Sequence, residues 1–209
     1  MASCESQVGE VDLALKHYQQ ALNLCPLEDK TEQSAIILNL GRFKANRGEI
    51  EEAIALYQQS LALTEQIGDV QGKAATLHCL GILKANRGEI EEAIALYQQS
   101  LALKEQIGNV QGKAATLHQL GILKANTGEI EEAIALYQQS LAIEEQIGDV
   151  KGKAATLWWL GHIAEQQGNY NQALDYLQPA LEILQRIQSP DAERLGQVVA
   201  RVQDLIRNS

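Results

Sequence analysis

The chain has 209 residues, a length suited to one sizeable domain, and a formal net charge of −10 from 17 Lys and Arg against 27 Asp and Glu. Such a surface repels phosphate backbones and no Lys/Arg-rich stripe offsets it, so nucleic acid is excluded as an expected partner. No stretch approaches the roughly 20 apolar residues that cross a bilayer, and the start, MASCESQVGEVDLALK, lacks the basic-then-apolar order of a secretory signal.

Cys4, Cys25 and Cys79 are widely spaced and form no C-x-x-C, so neither a disulfide framework nor a zinc site is expected. They read as free thiols in a reducing cytoplasm. Aromatic residues are few, Pro is scarce, and Ala, Leu, Ile and Gln dominate, a mixture that suits helices and not strands. Helices are predicted near 10–25, 30–46, 50–67, 70–86, 90–107, 110–126, 130–147, 150–167, 170–187 and 190–207, with no strand.

The first predicted helix has apolar residues on two sides, including Ala14, Tyr18 and Ala21. A preceding partner helix would have to fit into residues 1–7, which is too short. Either the chain extends upstream or this face meets another molecule. Ala14, Tyr18 and Ala21 are therefore a candidate self-association face, and a homodimer through the N-terminal end is expected.

From Gly48 onward the sequence repeats. The stretch GEIEEAIALYQQSLA begins at Gly48, at Gly88 and at Gly128. The unit from Gly48 to Arg87 differs from the next, Gly88 to Thr127, at four positions: Thr64/Lys104, Asp69/Asn109, Cys79/Gln119 and Arg87/Thr127. The third unit drifts mostly after Trp158. A fixed period of this length signals stacked supersecondary units.

Each unit reads as two helices. In the second copy Ile90, Ala93, Ile94, Tyr97 and Leu101 form one stripe, and Leu96, Leu103 and Ile107 another beside it. Two stripes need cover on two sides, which a stack provides. Glu89, Glu91 and Glu92 sit where the helix dipole favours carboxylates. Gly108 suits a left-handed C-cap, and Asn109 (Asp69 and Asp149 elsewhere) suits an N-cap. The next helix carries Ala114, Ala115, Leu117, Leu120, Ile122 and Leu123. Gly121 lies inside it, and its recurrence as Gly41, Gly81 and Gly161 points to a second helix crossing too closely for a Cβ. At the far end, Ser189-Pro190-Asp191 opens a helix with a single stripe of Leu195, Val198, Val199, Val202, Leu205 and Ile206. A one-sided helix at the end of a stack is a solvating cap.

The spacing Leu80-Gly81, Ala93, Tyr97 recurs as Leu40-Gly41, Ala53, Tyr57, as Leu120-Gly121, Ala133, Tyr137 and as Leu160-Gly161, Ala173, Leu177. In this the chain resembles the tetratricopeptide repeat family, over roughly residues 9–187. The departures are a period of 40, Glu65, Glu105 and Glu145 where the family ends a helix with proline, and Lys44, Lys84 and Lys124 where it places an aromatic. This longer form is similar to the repeats of kinesin light chain and of the Pins-type polarity adaptors, and many bacterial signalling scaffolds carry similar arrays. The resemblance implies an all-α, right-handed superhelical solenoid of antiparallel helix pairs. One domain is expected over 1–209, with a partial repeat at 9–29, repeats near 30–69, 70–109, 110–149 and 150–188, and a cap at 190–207.

The resemblance also implies a concave groove lined by the first helix of each unit. Its positions would be Leu38, Asn39, Arg42 and Asn46; His78, Cys79, Ile82 and Asn86; His118, Gln119, Ile122 and Asn126; and Trp158, Trp159, His162 and Gln166. The basic clamp that grips a terminal carboxylate in chaperone-binding relatives is absent, since only Arg42 and Asn39 are polar in that sense. The asparagine ladder of the Pins-like relatives is reduced to Asn39.

No catalytic or metal centre is expected. His78 and His118 sit on equivalent neighbouring helices, whose axes pack roughly 8–10 Å apart, while metal ligands converge within about 2.1 Å of one ion. Cys79 and His78 are adjacent on a helix and so point about 100° apart. No glycine-rich phosphate loop occurs, and no cofactor is implied. The sequence thus reads as a non-enzymatic, cytoplasmic interaction scaffold. Its groove would take a peptide or protein segment with an apolar face anchored at Trp158. The alternatives are a self-assembling repeat module or a regulatory repeat segment of a larger signalling protein.

Overall fold

The computed structural model of the chain describes residues 28–208 and, ahead of them, residues 17, 18, 20, 21 and 24–26. Among the described residues nine complete α-helices follow one another, with no strand: α1 (Lys30–Asn46), α2 (Ile50–Ile67), α3 (Val70–Asn86), α4 (Ile90–Gln106), α5 (Val110–Asn126), α6 (Ile130–Ile147), α7 (Val150–Gln166), α8 (Tyr170–Arg186) and α9 (Asp191–Arg207). The chain divides into two compact units at Gly108. The first contains α1–α4, the second α5–α9.

Helix ends follow from local chemistry. The Asp69, Asn109 and Asp149 side chains accept from the backbone N–H of Gly72, Gly112 and Gly152 at 2.9, 2.8 and 3.0 Å, satisfying a donor that the helix leaves orphaned. Gly148 closes α6 at φ +70°, a left-handed conformation that costs glycine nothing. The long second helices run past residue 103: α4 ends at Gln106, one residue earlier than the periodicity predicts, and α2 and α6 reach Ile67 and Ile147. α9 begins at Asp191, whose N–H meets Ser189 Oγ at 3.3 Å.

Within a pair the helices run antiparallel. Ion pairs close the turn, Lys44 with Glu49 and Glu52, Lys84 with Glu89 and Glu92, and Lys124 with Glu129 and Glu132. The lysines that replace the family's aromatic thus staple the turn, and these acids are paired as well as favoured by the helix dipole. In mid-pair the glycines receive an aromatic ring. A Cβ on Gly81 would lie 2.8 Å from Tyr97 Cε1, and one on Gly121 would lie 2.8 Å from Tyr137 Cε1. Both rings are fully buried, so neither can give way. At the far end a serine hydroxyl holds a carbonyl of the partner helix: Ser60 to Ser34 O at 3.0 Å, Ser100 to Ala74 O at 2.7 Å, Ser140 to Ala114 O at 2.8 Å.

The most deeply buried row of α4 is therefore Ala93, Tyr97, Ser100 and Lys104, and the same row of α6 ends on Glu144. Two expected core positions are instead exposed: Ile107 at 38%, which falls just past the end of α4, and Ala115. In the second unit Leu195, Val199 and Val202 of α9 join Leu177, Ala180 and Leu184 of α8 in one apolar cluster, while Leu205 is 37% exposed. Arg201 fixes α9 further by clasping both oxygens of Glu165 at 2.8 and 3.0 Å.

Candidate functional site

In the first unit, α1 and α3 carry the predicted groove residues. Leu38 is 8% exposed and belongs to the core beside Ala53, Tyr57 and Leu80, so it offers no surface. Asn39 is exposed. Arg42 Nε donates to Cys79 Sγ at 3.4 Å, which joins α1 to α3 and leaves Cys79 buried. His78 and Ile82 are half-buried, and the His78 ring lies 5.4 Å from that of Tyr97. Burial, with the charges of Lys104 and Arg42 behind it, pushes His78 down to about 3, so the ring is neutral at physiological pH. Burial also pulls Lys104 down to about 8, with Arg42 opposing its charge further.

Of the proposed self-association face, Ala14 lies outside the described residues. Tyr18 is half-buried with its ring 6.3 Å from Phe43, and Ala21 is exposed.

In the second unit, α5 and α7 bring His118, Gln119, Ile122, Trp158, Trp159 and His162 to half-buried positions. Four rings form a chain: His118 to Tyr137 at 5.4 Å, Tyr137 to Trp159 at 6.3 Å, Trp159 to His162 at 6.0 Å. Tyr137 and Trp159 stack at 12°. His162 is also held by Gln166, 3.2 Å away. Burial lowers His118 to about 4, so it too is neutral.

Beyond this chain lies an open cleft of about 380 Å³ lined by Ala155, Trp158, Trp159, His162, Asp191 and Arg194. The guanidinium of Arg194 sits 5.5 Å above the Trp158 ring. Asp191 and Arg194 come from α9. Their place beside the tryptophans was missed because α9 reads in sequence as a solvating cap, and its charged residues as the cap's wet face. Ser189-Pro190-Asp191 was the available signal, since it fixes where α9 starts relative to α7.

A second feature has no forecast in the sequence reading. Glu144 is 3% exposed, and its Oε1 lies 2.9 Å from Ser140 Oγ and 3.1 Å from Thr156 Oγ1. Thr156 Oγ1 in turn meets His118 Nδ1 at 2.9 Å. Burial, with Asp149 nearby, raises the Glu144 carboxyl above the usual range. Among the described residues no group of three or more His, Cys, Asp or Glu forms a possible metal cradle, and no helix is long and apolar enough to cross a membrane.

The family model of the MalT-like TPR region matches residues 1–207. No protein in the curated set matches the chain. Among solved structures, BtubC (BKLC) from P. vanneervenii is similar over 90% of this chain and 78% of its own, at TM-score 0.77 and 19% identity. The nearly identical TPR-like repeats of a putative kinesin light chain from Podosopora anserina are similar over 90% and 92%, at TM-score 0.67 and 21% identity. A STAND signal-transduction ATPase with a tetratricopeptide repeat sensor, from Pyrococcus horikoshii, is similar over 98% of this chain and 33% of its own, at TM-score 0.78 and 18% identity.

Proposed function

The chain belongs to the family of MalT-like TPR regions, and from that premise we propose that it is a non-enzymatic scaffold that binds a peptide or protein segment on its inner helices. The observation that carries this reading is the cleft of the second unit, where the half-buried Trp158 and Trp159 line an open space beside one cation and one anion. Tryptophan and arginine are enriched among residues that dominate binding energy, and half-open aromatic walls bury apolar surface at about 25 cal/mol per Å². The occupant is a segment with an apolar or aromatic anchor for Trp158 and a polar neighbour for Arg194 and Asp191. In the first unit Asn39, Arg42, His78 and Ile82 occupy the corresponding inner-helix positions. Cytoplasmic residence fits the free thiols of Cys25 and Cys79.

The test is selection of peptides from a random library against the full chain. Selected sequences should share a large apolar residue, and Trp158→Ala should weaken them by about 2 kcal/mol, roughly 30-fold, with helicity unchanged. Equal binding to Trp158→Ala would overturn the reading. A second reading, a sensing segment within a larger signalling protein, is favoured by the likeness of 98% of this chain to the STAND protein with a repeat sensor. Self-association through Tyr18 and Ala21 remains the third, and light scattering at several concentrations decides it.

A further inference from the structure

A thread of polar contacts crosses the interior of the second unit, from α5 through α7 and α6 back to α5. Its four links are His118 Nδ1 to Thr156 Oγ1, 2.9 Å; Thr156 Oγ1 to Glu144 Oε1, 3.1 Å; Glu144 Oε1 to Ser140 Oγ, 2.9 Å; and Ser140 Oγ to Ala114 O, 2.8 Å. Each link needs one hydrogen. Ala114 O is a backbone carbonyl and can only accept, so the Ser140 hydrogen goes to it. Ser60 and Ser100 do the same with Ser34 O and Ala74 O. Ser140 Oγ then has no hydrogen left for Glu144, and a protonated carboxyl would supply the one that the 2.9 Å contact needs. With Oε1 donating to Ser140, Thr156 donates to Oε1, and the hydrogen between Thr156 and His118 comes from Nδ1. A charged Glu144 supplies three hydrogens for four links; a neutral one supplies all four.

The surroundings agree with a neutral acid. Glu144 Oε2 is fully buried with no hydrogen-bond partner, a position that is costly for a carboxylate and tolerable for a carboxylic acid. The charged groups beside Glu144 are Glu145 on α6, Asp149 in the turn, Lys153 on α7, and Glu182 and Arg186 on α8. Lys153 is already paired with Glu145 at 2.7 Å. Around His118 the packed groups are the Tyr137 ring and Thr156, and no charge contributes to its neutral state. The other ring nitrogen, Nε2, makes no hydrogen bond within the described residues and is not among the fully buried polar atoms, so solvent reaches it.

We propose that this thread is a one-way relay that holds Glu144 as the neutral acid and fixes His118 in its Nδ1–H tautomer, so that Nε2 faces a bound segment as an acceptor and selects a partner N–H. The partner half of this inference rests on the peptide-binding reading above; the tautomer half does not. Position 144 is Thr in the first copy (Thr64) and Lys in the second (Lys104), so the relay is specific to this repeat.

The tautomer is read without any ligand, by long-range ¹H–¹⁵N NMR of the labelled full chain at neutral pH, with His118→Gln for assignment. The expected spectrum has Nδ1 in the protonated range and Nε2 in the unprotonated range. Thr156→Ser should preserve it, and Thr156→Val should shift the ring towards the Nε2–H form. A carboxyl ¹³C signal missing from Glu144→Gln should titrate above the ordinary carboxylate range. An Nε2–H ring in the wild type, a ring indifferent to Thr156→Val, or an ordinary Glu144 titration would each overturn the relay. In a second arm, single N-methylation along a peptide selected against the full chain should find one amide whose loss weakens binding at least tenfold in the wild type and not in His118→Ala. No such amide would overturn the selection of an N–H. If no peptide binds at all, the peptide reading fails while the NMR result still decides the tautomer.

Discussion

The first unit's α4 and the second unit's α6 share their sequence but for Leu103/Ile143 and Lys104/Glu144, yet they bury opposite chemistry at one seat. Lys104 in the first and Glu144 in the second close the same row of alanine, tyrosine and serine, at 5% and 3% exposure. The lysine is drawn down to about 8 and the glutamate is raised above the usual carboxylate range. A low-dielectric seat pushes either group towards its uncharged form, whatever its sign. The inner helices differ in the same selective way. α3 puts Cys79 against Arg42, whereas α7 puts Trp158 beneath Arg194. What the repeat holds constant is the packing of pairs; what it varies is the single residue facing inward or outward from that packing.

If the packing is common to both units, it should break equally in both. Gly81→Ala and Gly121→Ala each push a methyl to 2.8 Å from a buried tyrosine ring. Each should cost about 3 kcal/mol, measured by urea denaturation, against the roughly 1 kcal/mol that alanine ordinarily gains over glycine in a helix. Unequal losses would show that the units do not share one scaffold.

The buried seats should respond with opposite pH signatures. The pKa of Lys104 in the folded chain lies below its unfolded value, so charging it opposes folding increasingly as pH falls from 10.5 to about 8, and fully below that. Lys104→Thr, which restores the residue of the first copy, should therefore stabilise the protein at pH 7 by about 2 kcal/mol, with the gain fading as pH rises from about 8 to 10.5. For Glu144 the folded pKa is raised, so stability is lost as pH rises through the window between the ordinary carboxylate value and the raised one. Glu144→Gln should gain about 1 kcal/mol at pH 7 and nothing below that window, read as the shift in melting temperature across pH. A gain at pH 3 equal to that at pH 7 would mean packing, not ionisation, sets the effect.

The smallest effect expected is at the end of the second unit. The Arg201–Glu165 clasp is bidentate but solvent-facing, with the Arg201 side chain 59% exposed. Arg201→Ala should cost under about 1 kcal/mol and show as faster amide hydrogen exchange in α9 alone.

The helices were legible because each signal was local. Gly148 marks an end and Asp69 and Asn109 mark starts, each acting through its own neighbours in the chain, while the interior Gly121 marks a crossing by its recurrence at the same place in every repeat. The cleft was only half legible. Trp158, Trp159 and His162 lie on one helix at helical spacing, but Asp191 and Arg194 reach them only through the angle at which α9 returns, which no spacing encodes. The buried seat was legible and unread: Ala93, Tyr97, Ser100 and Lys104 follow one helical row, yet serine and lysine do not register in a search for apolar stripes. Leu38 failed in the reverse sense, since an inner-helix position assigned by resemblance turned out to be core.

The glycine crossings carry one more consequence, for how such a chain can diverge. At Gly161 the tyrosine is replaced by Leu177, which fills the same seat 2.5 Å from where a Cβ would stand. The large side of the contact has thus been exchanged without disturbing the small side. Sequence drift at this contact is a one-sided freedom: the residue that fills the notch can change, but a side chain larger than hydrogen at the notch meets whatever fills it. A lineage of these repeats would explore new inner surfaces at positions such as Cys79, Gln119 and Trp159 while each glycine stays pinned by its own partner, so diversification of binding and preservation of shape draw on separate residues.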